Sequence, residues 1–191
     1  MHYCTPALLA LYAGNKPATV FMEKLHMFRQ VNLPAETQGK LYLHSMPGRH
    51  EAFPSFIAEA RRISLDTVIC LTMEDEIRDK SPQYFEARAR QQLPFSVRDF
   101  PIKDFNAPGD SEKSAFKEFV MERVAELRAG QALLVHCKMG IGRTGTVTVC
   151  LLLELGMGLA EAISIVESAG SYPMVVEQDR FIDWYASTLV S

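Results

Sequence analysis

Residues 132–156 read ALLVHCKMGIGRTGTVTVCLLLELG, and the fold is decided by how this stretch is read. Its opening ALLVH is a nearly continuous apolar run of strand length, as expected for a central strand covered on both faces. A short loop holding Gly140 and Gly142 follows, and an apolar helical stretch then begins near Arg143, expected over residues 143–155. Strand, tight loop and helix N-terminus in succession make an anion site: the loop amides can turn inward on a phosphate, and the helix start contributes roughly half a positive charge. The two glycines permit backbone angles and a close approach that side chains would obstruct.

The ends of the loop carry its chemistry. Cys137 opens it, Arg143 closes it, and no Gly-Lys-Ser or Gly-Lys-Thr follows the glycines as a nucleotide-binding loop requires. Where a loop curls round one phosphate, this spacing places a sulfur beneath the phosphorus and a guanidinium fork across two equatorial oxygens. Lys138, Met139, Gly140, Ile141, Gly142 and Arg143 are the expected phosphate-binding residues. The same donors stabilise a thiolate, so the Cys137 pKa is expected to fall from about 8.5 toward about 3.5 to 7.5. Thr144, directly after the arginine, is placed to donate its hydroxyl proton to that sulfur and help it leave in a second step. His136 is expected to brace the loop rather than act as a base, because an ionised thiol needs none. A lone cysteine after a strand is most often a small core residue. Here it comes with a phosphate loop, a spaced arginine and a following threonine, and the nucleophile reading outweighs the core reading.

Upstream, further strands are expected at residues 41–44, 67–72 and 95–100, alternating with amphipathic helices at about 51–63 and 81–92. Phe116, Phe119, Val120, Val124 and Leu127 recur at helical spacing, a stripe expected to pack in the core, capped by Asp110 or Ser111 and ended by Gly130. Two more helices are expected at about 159–168 and 176–188. Such alternation indicates an α/β fold. With 191 residues, 48% of them apolar, the chain is long enough for one substantial core, and a single domain over residues 22–191 is expected, preceded by an extension at 1–21.

Twenty Lys plus Arg against 23 Asp plus Glu leave a net charge of -3, which offers no general attraction to nucleic acid or to an anionic membrane. Cys4, Cys70, Cys137 and Cys150 show neither zinc-site spacing nor the density of a disulfide scaffold, and a reducing cytoplasm suits them best. The apolar stretch at 6–13 has no basic residues before it and is too short to span a bilayer, so neither a signal peptide nor a membrane helix is expected.

The string HCKMGIGRTG, residues 136–145, resembles the signature of the protein tyrosine phosphatase superfamily through every fixed position: His-Cys, five residues, Arg, then Ser or Thr. Rhodanese loops are shorter and need not end in Arg, and low-molecular-weight phosphatases carry the loop near the N-terminus rather than in the last third. The likeness extends from about Lys40 to Tyr185 and is strongest to the compact dual-specificity branch, including its prokaryotic members, with KLYLHSMPG and TVICLTMEDE similar to that branch's first two strands and their loops. It implies a single domain with a central, mostly parallel sheet of four or five strands flanked by helices. It also implies phosphomonoester hydrolysis through a phosphocysteine, without metal or cofactor. The family's general acid is an Asp on a mobile loop before the Cys. FPIKDFNAPG resembles that loop and puts Asp104 at the acid position, ahead of Asp99, which falls within a strand, and Asp110, which reads as a helix cap. VVEQDRF resembles the stretch where relatives place a water-orienting Gln, here Gln178. SIVESAGSYPMVVE lacks the arginine that many relatives carry after this helix, which counts against a second-phosphate contact there.

Phosphoproteins rank first as substrate, phosphotyrosine with or without phosphoserine and phosphothreonine. Met139 and Ile141 would give the pocket an apolar rim suited to an aryl group, or would pack under the loop. Lys138 is similar to the first loop lysine of phosphoinositide phosphatases, although Ile141 stands where those carry a second, so phosphoinositide, nucleotide or RNA phosphate rank behind. A phosphate-binding protein without turnover would be expected to lack Cys137, Arg143 or Asp104, and all three are present. A redox sensor would pair Cys137 with Cys70 in a disulfide, although Cys70 and Cys150 both read first as buried residues.

Overall fold

The computed structural model of the chain describes residues 28–189. The expected extension at 1–21, with Cys4, lies outside the described residues. Five strands alternate with helices: β1 (Arg29–Val31), β2 (Lys40–His44), α1 (Phe53–Arg62), β3 (Thr67–Cys70), α2 (Glu74–Lys80), α3 (Pro82–Ala89), β4 (Ser96–Asp99), α4 (Lys113–Arg128), β5 (Ala132–His136), α5 (Gly142–Glu154), α6 (Leu159–Ser168) and α7 (Val176–Ser187). The sheet order is β1-β2-β5-β3-β4. The edge strand β1 pairs antiparallel with β2, and the other pairings are parallel.

β5 lies at the centre, and its run of apolar residues follows from that position. Leu133 and Val135 point into the larger core, with Leu41, Leu43 and Ile69 of the neighbouring strands. Ala132 and Leu134 point to the other face, where they meet Tyr42, Val68 and the α1 residues Phe56 and Ala60. On the first face lie α4, α5, α6 and α7, and the α4 stripe Phe116, Val120, Val124 and Leu127 is buried there. Every residue of α5 from Gly142 to Leu153 is buried, so the helix that begins at the loop is also the most completely buried of the described helices.

The parallel strands β2, β5, β3 and β4 all end on one edge, which is where open α/β sheets present ligand sites. The segments that leave this edge hold Arg49, Glu76, Asp104 and the loop from Cys137 to Arg143. The remaining differences from expectation are local. The second and third expected strands end early, at Cys70 and Asp99, although one further bond continues each pairing, Leu71 N to the His136 carbonyl and Phe100 N to the Cys70 carbonyl, both at 3.0 Å. β1 and α2 were not anticipated. Neither Asp110 nor Ser111 caps α4: both lie in a 3-10 turn, Asp110–Glu112, in which Gly109 N donates to Glu112 Oε2 at 2.7 Å and Asp110 pairs with Lys113 at 2.8 Å. Gly130 does end α4, in the left-handed region at φ +88°.

Candidate active site

The loop after β5 is held by its carbonyl oxygens. Cys137 O lies 3.3 Å from His136 Nδ1, and Lys138 O accepts from Met46 N at 3.3 Å. Gly140 O accepts from both Arg29 Nη2 and Ser171 Oγ at 2.6 Å, and Ile141 O accepts from Gly145 N at 2.7 Å. Since a trans peptide points its N–H opposite its C=O, tying these carbonyls outward turns the amides of Lys138, Met139, Ile141 and Gly142 inward. Among the described residues none of those four amides donates to a backbone oxygen. The first turn of α5 adds its own free amides, since Ile141 supplies no side-chain cap. Gly140 sits at φ +71°, and a Cβ there would collide with the backbone carbonyl of His44.

Cys137 lies at the floor of this loop, 3% exposed. Burial works against ionising its thiol. The Arg143 charge, the Thr144 hydroxyl and the amides of Thr144 and Ile141 outweigh burial and hold the thiol below its ordinary pKa. Thr144 Oγ1 is buried with no oxygen or nitrogen partner among the described residues, and the Cys137 sulfur is the group it serves.

Arg143 is 1% exposed and fixed by three groups. Nη1 donates to Glu76 Oε2 and to the Ile102 carbonyl, both at 2.8 Å. Nη2 donates to Glu76 Oε1 at 3.2 Å and to Asp104 Oδ1 at 2.9 Å. Burial would lower the guanidinium pKa, but the Glu76 hydrogen bond and the charges of Cys137, Asp104 and Glu76 raise it, so Arg143 is a permanent cation.

Asp104 therefore reaches the loop. Its second oxygen lies 3.5 Å from Lys138 Nζ, and its side chain stays partly exposed. The competitors lie elsewhere: Asp99 is locked by Arg88 at 2.7 and 2.8 Å, and Asp110 is held by Lys113. Gln178 is buried, accepts from Met174 N at 2.8 Å and donates to the Asn106 carbonyl at 3.0 Å, so it joins the α7 start to the segment bearing Asp104. It also abuts the loop, since a Cβ on Gly142 would lie 3.1 Å from its Oε1.

His136 is completely buried, with Nε2 3.2 Å from the Tyr84 hydroxyl, and burial pushes its pKa down to about 3. It is a neutral brace: Nδ1 donates to Cys137 O, and Nε2 accepts from Tyr84. Of the two readings for Ile141, rim or support, the structure takes the second: it is 2% exposed, packed under the loop. Met139 is half-buried. Cys70 faces Thr72 and Arg88 in a different core cluster from Cys137, both thiols are free, and burial raises the Cys70 pKa. The arrangement does not support a disulfide between them. Among the described residues no cluster of three or more His, Cys, Asp or Glu is disposed to hold a metal ion.

Three contributors escaped the sequence reading. Glu76 orients Arg143. Arg29 and Ser171 anchor Gly140, and Arg29 Nη1 also donates to the carbonyls of Ala169 and Gly170, at 2.9 and 2.7 Å. The segment in which only a missing arginine was noted thus braces the phosphate loop: besides Ser171, the Tyr172 backbone packs so close to Gly145 that a Cβ would lie 2.7 Å from its nitrogen.

A family described as "Swiss Army Knife protein, DSP-PTPase phosphatase domain" matches residues 37–174, most of the chain. The chain belongs to this phosphatase family. The family is cysteine-based, and this member carries the loop from which such phosphatases work. Among solved structures it is similar to the kinase associated phosphatase, in a form with serine for the catalytic-site cysteine, with a TM-score of 0.74 at 18% identity, covering 86% of this chain and 96% of that one. Tk-PTP in its active form matches with a TM-score of 0.60 at 26% identity, over 80% and 97% of the two chains. PTPMT1 in complex with PI(5)P matches with a TM-score of 0.58 at 15% identity, over 83% and 96%. No helix among the described residues is long and apolar enough to cross a membrane.

Proposed function

We propose that this phosphatase hydrolyses phosphomonoesters through a phosphocysteine on Cys137, with phosphotyrosine, with or without phosphoserine and phosphothreonine, in proteins as its substrate. The observation that carries the reading is the orientation of the loop: carbonyls tied outward, amides turned in, a sulfur whose pKa is held down beneath and the Arg143 guanidinium at one side. The sulfur attacks phosphorus as the bond to the leaving oxygen breaks, and Asp104 gives that oxygen its proton. Asp104 then takes a proton from water, which attacks the phosphocysteine and releases inorganic phosphate, while Thr144 stabilises the departing thiolate. Gln178, between the loop and the acid segment, is placed to orient that water.

An aryl substrate is favoured by Phe105. It follows Asp104 directly, is 46% exposed and stands at φ +58°, so an apolar ring is held in solvent beside the acid at a backbone cost. Lys138 at the mouth favours a phosphoinositide as the second reading, and the likeness to PTPMT1 in complex with PI(5)P keeps that reading in view. In the presence of a chelator, turnover of an aryl phosphate that vanadate blocks and Cys137→Ser abolishes is expected. A panel of phosphopeptides and soluble phosphoinositides then ranks the substrates. Activity surviving Cys137→Ser would overturn the mechanism, and higher kcat/KM for the inositol lipids would overturn the protein assignment.

A further inference from the structure

Arg49 takes no part in the chemistry above, yet it is fixed beside it. The turn after β2 is pinned to the phosphate loop by Met46 N on Lys138 O at 3.3 Å, and to the α3 start by Ser81 Oγ on Pro47 O at 2.6 Å. Arg49 N closes the turn on Met46 O at 3.1 Å, and Gly48 N donates to Glu51 Oε1 at 2.7 Å. The Arg49 side chain is half-buried. Its Nε donates to His50 Nε2 at 3.0 Å, while its Nη1 is buried with no hydrogen-bond partner among the described residues. A buried guanidinium N–H without an acceptor is costly, and such groups are retained where a ligand supplies the acceptor.

Position narrows what that acceptor is. Burial lowers the Arg49 pKa, and the charges opposing this are, in order, Asp104, Glu76 and Cys137. Arg49 is thus within electrostatic reach of all three, and its turn is bonded to Lys138, whose Nζ lies 3.5 Å from Asp104, so Arg49 belongs to the side of the loop where the acid sits. The three non-bridging oxygens of a phosphoryl group are already served by the inward amides and Arg143, and Lys138 is turned to Asp104 at 3.5 Å. A cation on that side of the loop is available to the part of the substrate that departs.

We propose that Arg49 binds a second anionic group of the substrate on the leaving-group side, a carboxylate or phosphate on a residue next to the phosphorylated one in a protein. This rests on the protein-phosphatase reading. A peptide is favoured over an anionic bilayer because the chain carries a net charge of -3.

The test compares kcat/KM for two phosphotyrosine peptides that differ only in Glu or Ala beside the phosphotyrosine, together with a soluble inositol bisphosphate, in the wild type, Arg49→Gln and Arg49→Lys. The wild type is expected to favour the acidic peptide about tenfold, the scale of one charge-assisted hydrogen bond. Arg49→Gln is expected to erase that preference, and Arg49→Lys to keep part of it, which separates charge from folding. A preference that survives Arg49→Gln, or an equal loss on both peptides, overturns the proposal. A wild type that cleaves both peptides without discrimination also overturns it while leaving the protein-phosphatase reading intact. Turnover of the inositol bisphosphate, dependent on Arg49, without turnover of either peptide overturns both.

Discussion

Arg29 Nη2 lies 2.6 Å from the carbonyl oxygen of Gly140, so an arginine on the edge strand holds a peptide of the phosphate loop from across β2. Burial lowers the Arg29 pKa to about 10, against the attraction of Cys137, so this cation also helps to hold the thiolate. Arg29→Met is expected to raise the Cys137 pKa and to lower kcat/KM by about tenfold or more, the scale of a charged hydrogen bond. The pH dependence of iodoacetamide alkylation reads the first effect. An unchanged alkylation midpoint would show that Arg29 matters only to packing, and Arg29→Lys should recover part of the shift.

Glu76 receives both nitrogens of the Arg143 fork, which is otherwise held only by a backbone carbonyl and by Asp104. Glu76→Gln keeps the shape and removes the charge, leaving Arg143 free to swing away. Vanadate affinity should fall about tenfold, again the scale of one charge-assisted contact. Unchanged vanadate binding, measured by inhibition, would mean that the loop alone positions the arginine.

Gly140 and Gly156 offer a matched pair. Both have positive φ, +71° and +96°, but a Cβ meets the His44 carbonyl at Gly140 and open space at Gly156. Each Ala variant is expected to lose about 1 to 2 kcal/mol from backbone strain. Only Gly140→Ala should also lose vanadate protection of Cys137, because its clash displaces the loop. Equal loss of protection in both variants would show a general effect of destabilisation.

His136 supplies a pH test of the brace. Its folded pKa of about 3 lies below the ordinary value of 6.5, so above pH 6.5 it contributes no pH dependence to folding. Below pH 6.5 the unfolded chain takes up a proton that the folded one refuses, and stability falls with pH by up to about 1.4 kcal/mol per unit. Urea midpoints at pH 7 and pH 5 should differ less in His136→Asn than in the wild type. Titration of His136 near pH 6.5 by NMR would contradict the burial that fixes it neutral.

The β5–loop–α5 unit was legible because its signals are contiguous: an apolar run, two glycines, and fixed residues at set spacing. β1 was not, being three residues long with only Val31 buried among them. α2 was not, because EDEIRDK buries only Ile77 and so shows no stripe. Arg29 and Glu76 sit on those two elements, and their roles arise only when the sheet brings its edge strand and the β3 end to the loop. Asp104 was reached by likeness of its loop and not by pattern, since one exposed Asp looks like another. Ile141 stayed undecided between rim and support, because an apolar loop residue reads equally as either until the fold buries it.

The central claim is that phosphate passes through Cys137. Rapid quenching of Asp104→Asn with an aryl phosphate, followed by mass spectrometry, tests it most directly. A burst of released phenol equal to the enzyme present, with phosphate covalently attached to the peptide bearing Cys137, is the predicted result. Release of phenol with no modified Cys137 at any time point, and undiminished turnover in Cys137→Ser, would contradict it.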